Sequence, residues 1–368
     1  MVIKNYVRRD MRIFLSVVAL LTAIGLLFVY SSSSVFALEK FGAAHYFLIR
    51  QFVYVLAALC VFIVCAHVPI AWCRRLAPYA FLGSLALTIL TLVPGLGLRC
   101  HGSNRWLYIA GMSVQPSEFL KVALFMYIGF FLEKKKGAVR SLWYGYVPFL
   151  CILGITFVAL LKQPDFGSVV TIFITAGIIF FVANFKMSHL LTTLAVTLPL
   201  AVVLIVSKAY RMNRILIFLN PWSDPQGRGF QIIQSLIAIG SGRVWGLGIS
   251  NSKQKFFYLP MQHTDFIFPI IAEEMGFVGS IGILLLFFLF LWFGLRLTLA
   301  MKQPFTFFTS LGFVIFITLQ AVINIMVATG LLPTKGLGLP FMSYGGSALM
   351  AVFAMVGFII NFARRELS

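Results

Sequence analysis

Acidic side chains are scarce in this chain: ten Asp and Glu stand among 368 residues, against 29 Lys and Arg. Charged residues of both signs reach only 11%, where a soluble domain uses roughly 25% to cover its surface. A water-soluble globule is thereby excluded. Cysteine is sparse too. Cys60, Cys65, Cys73, Cys100 and Cys151 form no CxxC pair, so neither a disulfide framework nor a cysteine metal site is supported. No small-residue cleavage site follows the first apolar run, Ile13 to Tyr30, and a cleaved signal peptide is not expected. A disordered chain would be poor in aromatics, yet 39 Phe are present. The net charge of +19 is scattered between apolar runs rather than gathered on one face, which argues against a nucleic-acid partner.

What the chain has is apolar length. Hydrophobic residues make up 61%, and mean hydropathy is +0.99. A transmembrane helix takes about 20 apolar residues. The apolar runs predict ten spans, at 12–31, 46–67, 76–94, 117–132, 146–161, 168–185, 188–207, 265–297, 305–330 and 344–363. The expected fold is an all-α polytopic membrane domain occupying 1–368, without internal repeats. The eighth run is too long for one upright span, which implies tilt or a break.

Cations in short loops set orientation. Lys4, Arg8, Arg9, Arg12, Arg74, Arg75, Lys134, Lys135, Lys136, Arg140, Lys186, Arg296, Lys302, Arg364 and Arg365 all fall on one side. That side is expected to be cytoplasmic and to hold both termini. The segment between the seventh and eighth spans, about 208–264, is then a large extracytoplasmic loop. It carries Lys208, Arg211, Arg214, Arg228, Arg243, Lys253 and Lys255 against Asp224 alone. Such cations touch anionic lipid headgroups or hold an anionic substrate at the outer leaflet.

Asp10, Glu39, Glu133 and Glu366 sit at span ends or tails. Glu118, Asp165, Asp224, Asp265, Glu273 and Glu274 remain, and all but Asp224 lie in or against a span. A charge at membrane depth costs at least a few kcal/mol and marks a functional site by default. Glu118 and Lys121 are three apart at the start of the fourth span, after Gln115, Pro116 and Ser117, so they share a helix face. They form either a structural ion pair or the wall of a cavity. The turn Lys162 to Ser168 places Asp165 at the same depth, as a functional group or as a helix cap. His263, Thr264 and Asp265 stand before the eighth span, where Thr264 or Asp265 would also serve as caps. Between the last two spans, Leu332 to Ser347 is rich in Gly and Pro yet apolar. Backbone of that kind enters a membrane only when buried in protein or lining a cavity. All four segments converge on the outer side.

These segments resemble the SEDS family (shape, elongation, division and sporulation). The resemblance is carried by Gly102–Leu107, the Gln115–Lys121 turn, Gln163-Pro164-Asp165-Phe166-Gly167, Gln231–Ser235, His263–Phe268 and Pro333–Ser347. Together they span most of the chain, in order. Tyr30 with Ser31–Ser34, Asn251–Lys255 and Pro333–Gly336 point to the division branch more than the elongation branch. Met261 stands where that branch usually has Glu.

The resemblance implies ten transmembrane helices in the bacterial cytoplasmic (inner) membrane, at the division septum. It implies a peptidoglycan glycosyltransferase that joins lipid II units and releases polyprenyl pyrophosphate. A class B penicillin-binding transpeptidase and other divisome membrane proteins are the implied partners. The family's catalytic Asp maps onto Asp265, and its cavity residues onto Arg50, Gln115, Ser117, Glu118, Lys121 and Asp165. Arg105, Gln163, His263, Thr264, Lys335 and Ser343 complete the expected substrate-binding set.

In such a reaction one carboxylate takes the proton of the incoming hydroxyl, and cations hold the departing pyrophosphate. Arg50, Arg105, Lys121 and the cations of 208–264 are the candidates for the second task. No cofactor is required. A divalent ion, Mg or Mn, would assist, although no ligand cluster demands one. The chief rival is a lipid II flippase or transporter, which would also want polar residues in the inner halves of the spans. A pure scaffold would not need Asp265.

Overall fold

A computed structural model describes residues 2–100, 103–109, 112–207, 209–227, 229–255, 263–334 and 336–367. Among them are twelve α-helices and one three-stranded sheet. The helices are α1 (Val2–Phe41), α2 (Tyr46–His67), α3 (Ile70–Leu90), α4 (Pro116–Lys134), α5 (Val147–Lys162), α6 (Phe166–Val182), α7 (Met187–Val206), α8 (Ala209–Leu219), α9 (Phe230–Ser241), α10 (Ile267–Leu299), α11 (Pro304–Ala328) and α12 (Gly346–Leu367). Each of the ten apolar runs falls on a helix. Six helical stretches are long and apolar enough to cross a membrane by length and composition.

Packing separates the centre from the rim. Central α4 buries Leu120, Leu124, Phe125 and Ile128 completely, and α11 does the same with Phe305, Phe313, Val314 and Ile317. At the rim, α2 exposes Ile63 and Val64, and α7 exposes Leu198, Val202 and Val203. A helix that is apolar all round but not enclosed by protein belongs in lipid. The chain is a multi-pass membrane protein.

Hydrogen bonds and ion pairs sort the helix ends into two groups. At one end, Arg296 of α10 pairs with Asp10 of α1 at 3.0 Å, and Arg74 of α3 pairs with Glu133 of α4 at 3.0 Å. There too, Glu366 of α12 accepts from the Lys302 and Gln303 amides that lead into α11. Both terminal helices therefore begin or finish at this end. The other end gathers the N-termini of α4, α6, α10 and α12 with the C-terminus of α11.

Two segments differ from the all-α, open-loop expectation. Three strands, β1 (Gly97–Cys100), β2 (Ser103–Ile109) and β3 (Met112–Val114), form an antiparallel sheet in that order. Gly97 pairs with Leu107, Leu107 pairs with Val114, and a bulge interrupts β1 between Leu98 and Arg99. Trp106, Tyr108 and Ile109 are residues that favour a pleated, half-buried surface. Within the segment expected as a large loop, about 208–264, the described residues include α8, a short turn at Pro221–Ser223, and α9.

The eighth run is broken, as its length implied. Gly276 inside α10 has φ 68° and ψ −163°, outside helical values. The Gly- and Pro-rich stretch after α11 is enclosed by protein. Leu339, Phe341 and Met342 on it are buried, and a Cβ on Gly25 of α1 would meet the Met342 backbone at 2.6 Å. That close approach keeps α1 against the loop.

A polar cavity at one end of the bundle

A cavity of about 830 Å³ opens where the second group of helix ends meets. Arg105, Gln115, Glu118, Asp165, Thr264, Asp265 and Ser343 line it, as do Trp106, Arg214, Gln320 and Tyr344. Four segments far apart in sequence are thus brought to one space.

Asp265 sits in the turn before α10. The N-cap position of α10 falls on Phe266, one residue after Asp265, and the Phe266 side chain makes no capping bond. The Asp265 carboxylate faces Gly336, whose added Cβ would come within 3.5 Å of it. Burial raises its pKa from 3.8 to about 6; Arg105 and Arg214 pull it down, and Asp165 pushes it up. Desolvation therefore outweighs the two cations. A carboxylate held near 6 is ionised at neutral pH and more basic than a surface Asp, a combination suited to accepting a proton.

The backbone around Asp265 is braced from α11 and from the loop beyond it. Asn324 donates from one amide nitrogen to the Asp265 carbonyl at 2.8 Å and to the Leu337 carbonyl at 2.6 Å. Ser343 donates to the Thr264 carbonyl at 2.5 Å, and Tyr344 N–H donates to the His263 carbonyl at 2.9 Å. Gln320 holds the Gly338 carbonyl at 3.0 Å. Gln51 of α2 donates to the Ser343 carbonyl and accepts from Gly345 N–H, both at 3.3 Å.

Asp165 does cap: it accepts from Ser168 N–H at 3.2 Å while also lining the cavity. Its turn is held by Arg105, which donates from Nε to the Gln163 carbonyl at 2.7 Å and from an amino group to the Pro164 carbonyl at 2.9 Å. Those two bonds fix the guanidinium plane at the cavity wall. Across the space, Arg214 of α8 donates to the Thr334 carbonyl at 3.2 Å.

The other described residues of the expected set surround the cavity rather than line it. Lys121 is 1% exposed and pairs with Glu118 at 2.7 Å, with the Phe316 ring 5.5 Å away. The pair spans from core to cavity, with Glu118, 12% exposed, on the cavity side. Ser117 is buried and accepts from the Gln115 side chain at 3.1 Å. The Gln163 side chain turns toward α3, donating to Thr91 Oγ1 at 2.6 Å and to the Thr88 carbonyl at 3.2 Å. His263 packs among Phe47, Tyr344 and Phe36, with ring centroids at 4.7, 5.7 and 6.0 Å. Burial lowers its pKa to about 4, so the ring is neutral. Arg50 stacks over Tyr46 at 4.7 Å and bonds the Tyr344 hydroxyl, which Tyr54 also bonds. Lys335, Met261, Lys208 and Arg228 lie outside the described residues.

Among the described residues, no group of three or more His, Cys, Asp or Glu is placed to hold a metal ion. Asn324 and Gln320 were missing from the expected set, although the sequence holds a signal for them. They are polar residues four apart in an otherwise apolar helix, hence on one face. Arg214 was one of seven scattered cations until α8 placed it at the cavity.

A polytopic bundle with a polar, cation-flanked cavity at one end, entered by a broken helix and a buried loop, is the class of molecule these observations define. The chain belongs to the FtsW/RodA/SpoVE family: the family model described as "Cell cycle protein" matches residues 11–367. A probable peptidoglycan glycosyltransferase FtsW from Geobacter sp. strain M18 is 42% identical over 353 residues, covering 96% of each chain. The stage V sporulation protein E of Bacillus subtilis strain 168 is 40% identical over 349 residues, covering 94% of each. Among solved structures, a chain from work on the structural coordination of polymerization and crosslinking by a peptidoglycan synthase complex superposes with a TM-score of 0.78 at 32% identity. It covers 96% of this chain and 97% of that one. The crystal structure of the rod shape determining protein RodA from Thermus thermophilus gives a TM-score of 0.71 at 26% identity over 96% of each chain.

Proposed function

We propose that this chain is a peptidoglycan glycosyltransferase that polymerises lipid II at the outer face of the cytoplasmic membrane, during septal wall synthesis. The observation that carries the reading is the cavity itself. One carboxylate with a raised pKa, Asp265, lies with Arg105 and Arg214 on its walls. The relatives named as glycosyltransferases cover nearly the whole chain and support the same activity.

Asp265 takes the proton from the 4-hydroxyl of the incoming sugar. The oxygen attacks the anomeric carbon of the growing strand, and the bond from that carbon to the polyprenyl pyrophosphate breaks. One base and an α-linked donor suit a single inverting displacement, with no covalent enzyme intermediate. The leaving pyrophosphate takes up negative charge, which preorganised cations stabilise. Arg105 and Arg214 serve this role in preference to Lys121, which is committed to Glu118 beneath the cavity, and to Arg50, which is stacked on Tyr46. Ten helices cross the membrane, both termini are cytoplasmic, and 208–264 is extracytoplasmic. A class B penicillin-binding protein is the partner, a reading supported by the synthase complex among the similar structures.

The rival reading, lipid II translocation, predicts polar residues along a path through the membrane. Purified protein given lipid II in vesicles separates the two. Glycan strands formed from lipid II already on the accessible leaflet support polymerisation. Movement of lipid II between leaflets without strand formation would replace it with transport.

A further inference from the structure

Glu273 and Glu274 play no part in the cavity, yet they are each 1% exposed. Two adjacent carboxylates at this depth need a reason. Their partners supply one, because hydroxyls and backbone amides converge on them. Glu273 accepts from Ser252 Oγ at 2.5 Å, from Lys253 N–H at 3.0 Å and from Gln254 N–H at 3.4 Å. Glu274 accepts from Ser250 N–H at 2.9 Å, from Ser252 N–H at 3.3 Å and from Ser31 Oγ of α1 at 2.6 Å.

The backbone beside them is built for the same contact. The Leu247 and Gly248 amides donate to the carbonyls of Glu273 and Glu274, both at 3.0 Å. In return, Phe277 and Val278 amides donate to the Arg243 and Val244 carbonyls. Residues 243–254 thus dock into the break in α10. The break requires Gly276 at φ 68°, and a Cβ there would collide with the Gly246 backbone nitrogen. Lys255 Nζ closes the docked segment on the Ser250 carbonyl.

We infer that Glu273 and Glu274 are positioning residues: they clamp 250–254 onto the first turns of α10, the helix that begins just after Asp265, and so hold the proposed base in register with the cavity. The Asp265 turn is then anchored twice, by the docked first turns of α10 that follow it and by Asn324 and Ser343 across the cavity wall. The inference rests on the proposed polymerase reading only for its catalytic consequence; the clamp itself can be read without turnover.

The test uses full-length protein in lipid nanodiscs with the variants Glu273→Gln, Glu274→Gln, Ser252→Ala and Ser252→Thr. Amide hydrogen exchange is followed at 250–254. A glutamine offers one acceptor oxygen in place of two and brings N–H groups to face backbone donors. Exchange is expected to quicken about ten- to a hundred-fold in the Gln variants, on the scale of a lost charge-assisted bond. A smaller rise is expected in Ser252→Ala and near wild-type exchange in Ser252→Thr. In lipid II polymerisation, kcat should fall about tenfold or more with KM little changed, because Arg105 and Arg214 stand on β2 and α8 rather than on the clamped segment. Ser252→Thr should keep wild-type kcat. Wild-type exchange at 250–254 in both Gln variants would overturn the clamp. Quickened exchange with wild-type kcat would overturn its positioning role. Should wild-type protein itself make no glycan, the polymerase reading fails while the exchange result still decides the clamp; Ser252→Ala serves if the Gln variants do not insert.

Discussion

Acidifying the polymerisation assay from pH 8 to pH 5 is expected to slow the protein about tenfold through one group. Asp265 carries a pKa of about 6 because burial outweighs the pull of Arg105 and Arg214. At pH 5 a base of that pKa is about 90% protonated, whereas an ordinary Asp near 3.9 would still be mostly ionised. The rate should therefore rise about tenfold in all from pH 5 to pH 8, with an inflection near 6 and a plateau above it. The neighbours give the sign of two further changes. Asp165 pushes the pKa up, so Asp165→Asn should move the inflection to lower pH; Arg214→Gln should move it higher.

Stability runs the opposite way. Between the unfolded value and about 6, the folded state binds the extra proton, so stability is greatest at low pH and falls as pH rises through that window. The rise from 3.8 to about 6 corresponds to up to about 3 kcal/mol. Asp265→Asn removes the penalty, so it should melt higher than wild type at pH 8 and nearly alike at pH 4. A flat rate profile between pH 5 and 7, or an Asp265→Asn protein less stable at pH 8, would rule out a buried Asp265 base.

Three other outcomes follow from the same geometry. Lys121→Met strands Glu118 without its partner and should cost about 3–5 kcal/mol in detergent unfolding, while Lys121→Met with Glu118→Gln recovers most of it. Asn324→Leu leaves the Asp265 and Leu337 carbonyls unpaired at about 1–3 kcal/mol each, and it should lower kcat even where the protein remains folded. In a cysteine-free background, Ser223→Cys should label from outside intact cells and Lys136→Cys should not; the reverse pattern would invert the topology.

The ten helical runs were legible because span length and apolar composition are coarse signals that survive without neighbours. The Glu118–Lys121 pair and the Asp165 cap were legible for a similar reason, since both depend on spacing within one turn. The broken eighth helix could be inferred from its excess length, but not where it breaks: Gly276 opens the helix only because 243–248 docks there. The sheet escaped notice because its short strands are recognisable mainly by pairing to one another. Site membership was hardest to read. Gln163 and His263 lie in matching motifs, yet their side chains face α3 and an aromatic cluster. Arg214 carries no local mark that separates it from six other cations. Which side of an element a residue faces is decided by tertiary packing, and one sequence does not state it.

The decisive measurement is strand formation from lipid II by purified Asp265→Asn beside wild type, with lipid II binding and thermal stability recorded on the same samples. Loss of a general base costs about 10²–10⁴ in rate. A stable, inserted, lipid II-binding Asp265→Asn protein that makes almost no glycan is the expected result. Near wild-type polymerisation by that variant would remove Asp265 from the base role and move the search to Asp165 or Glu118.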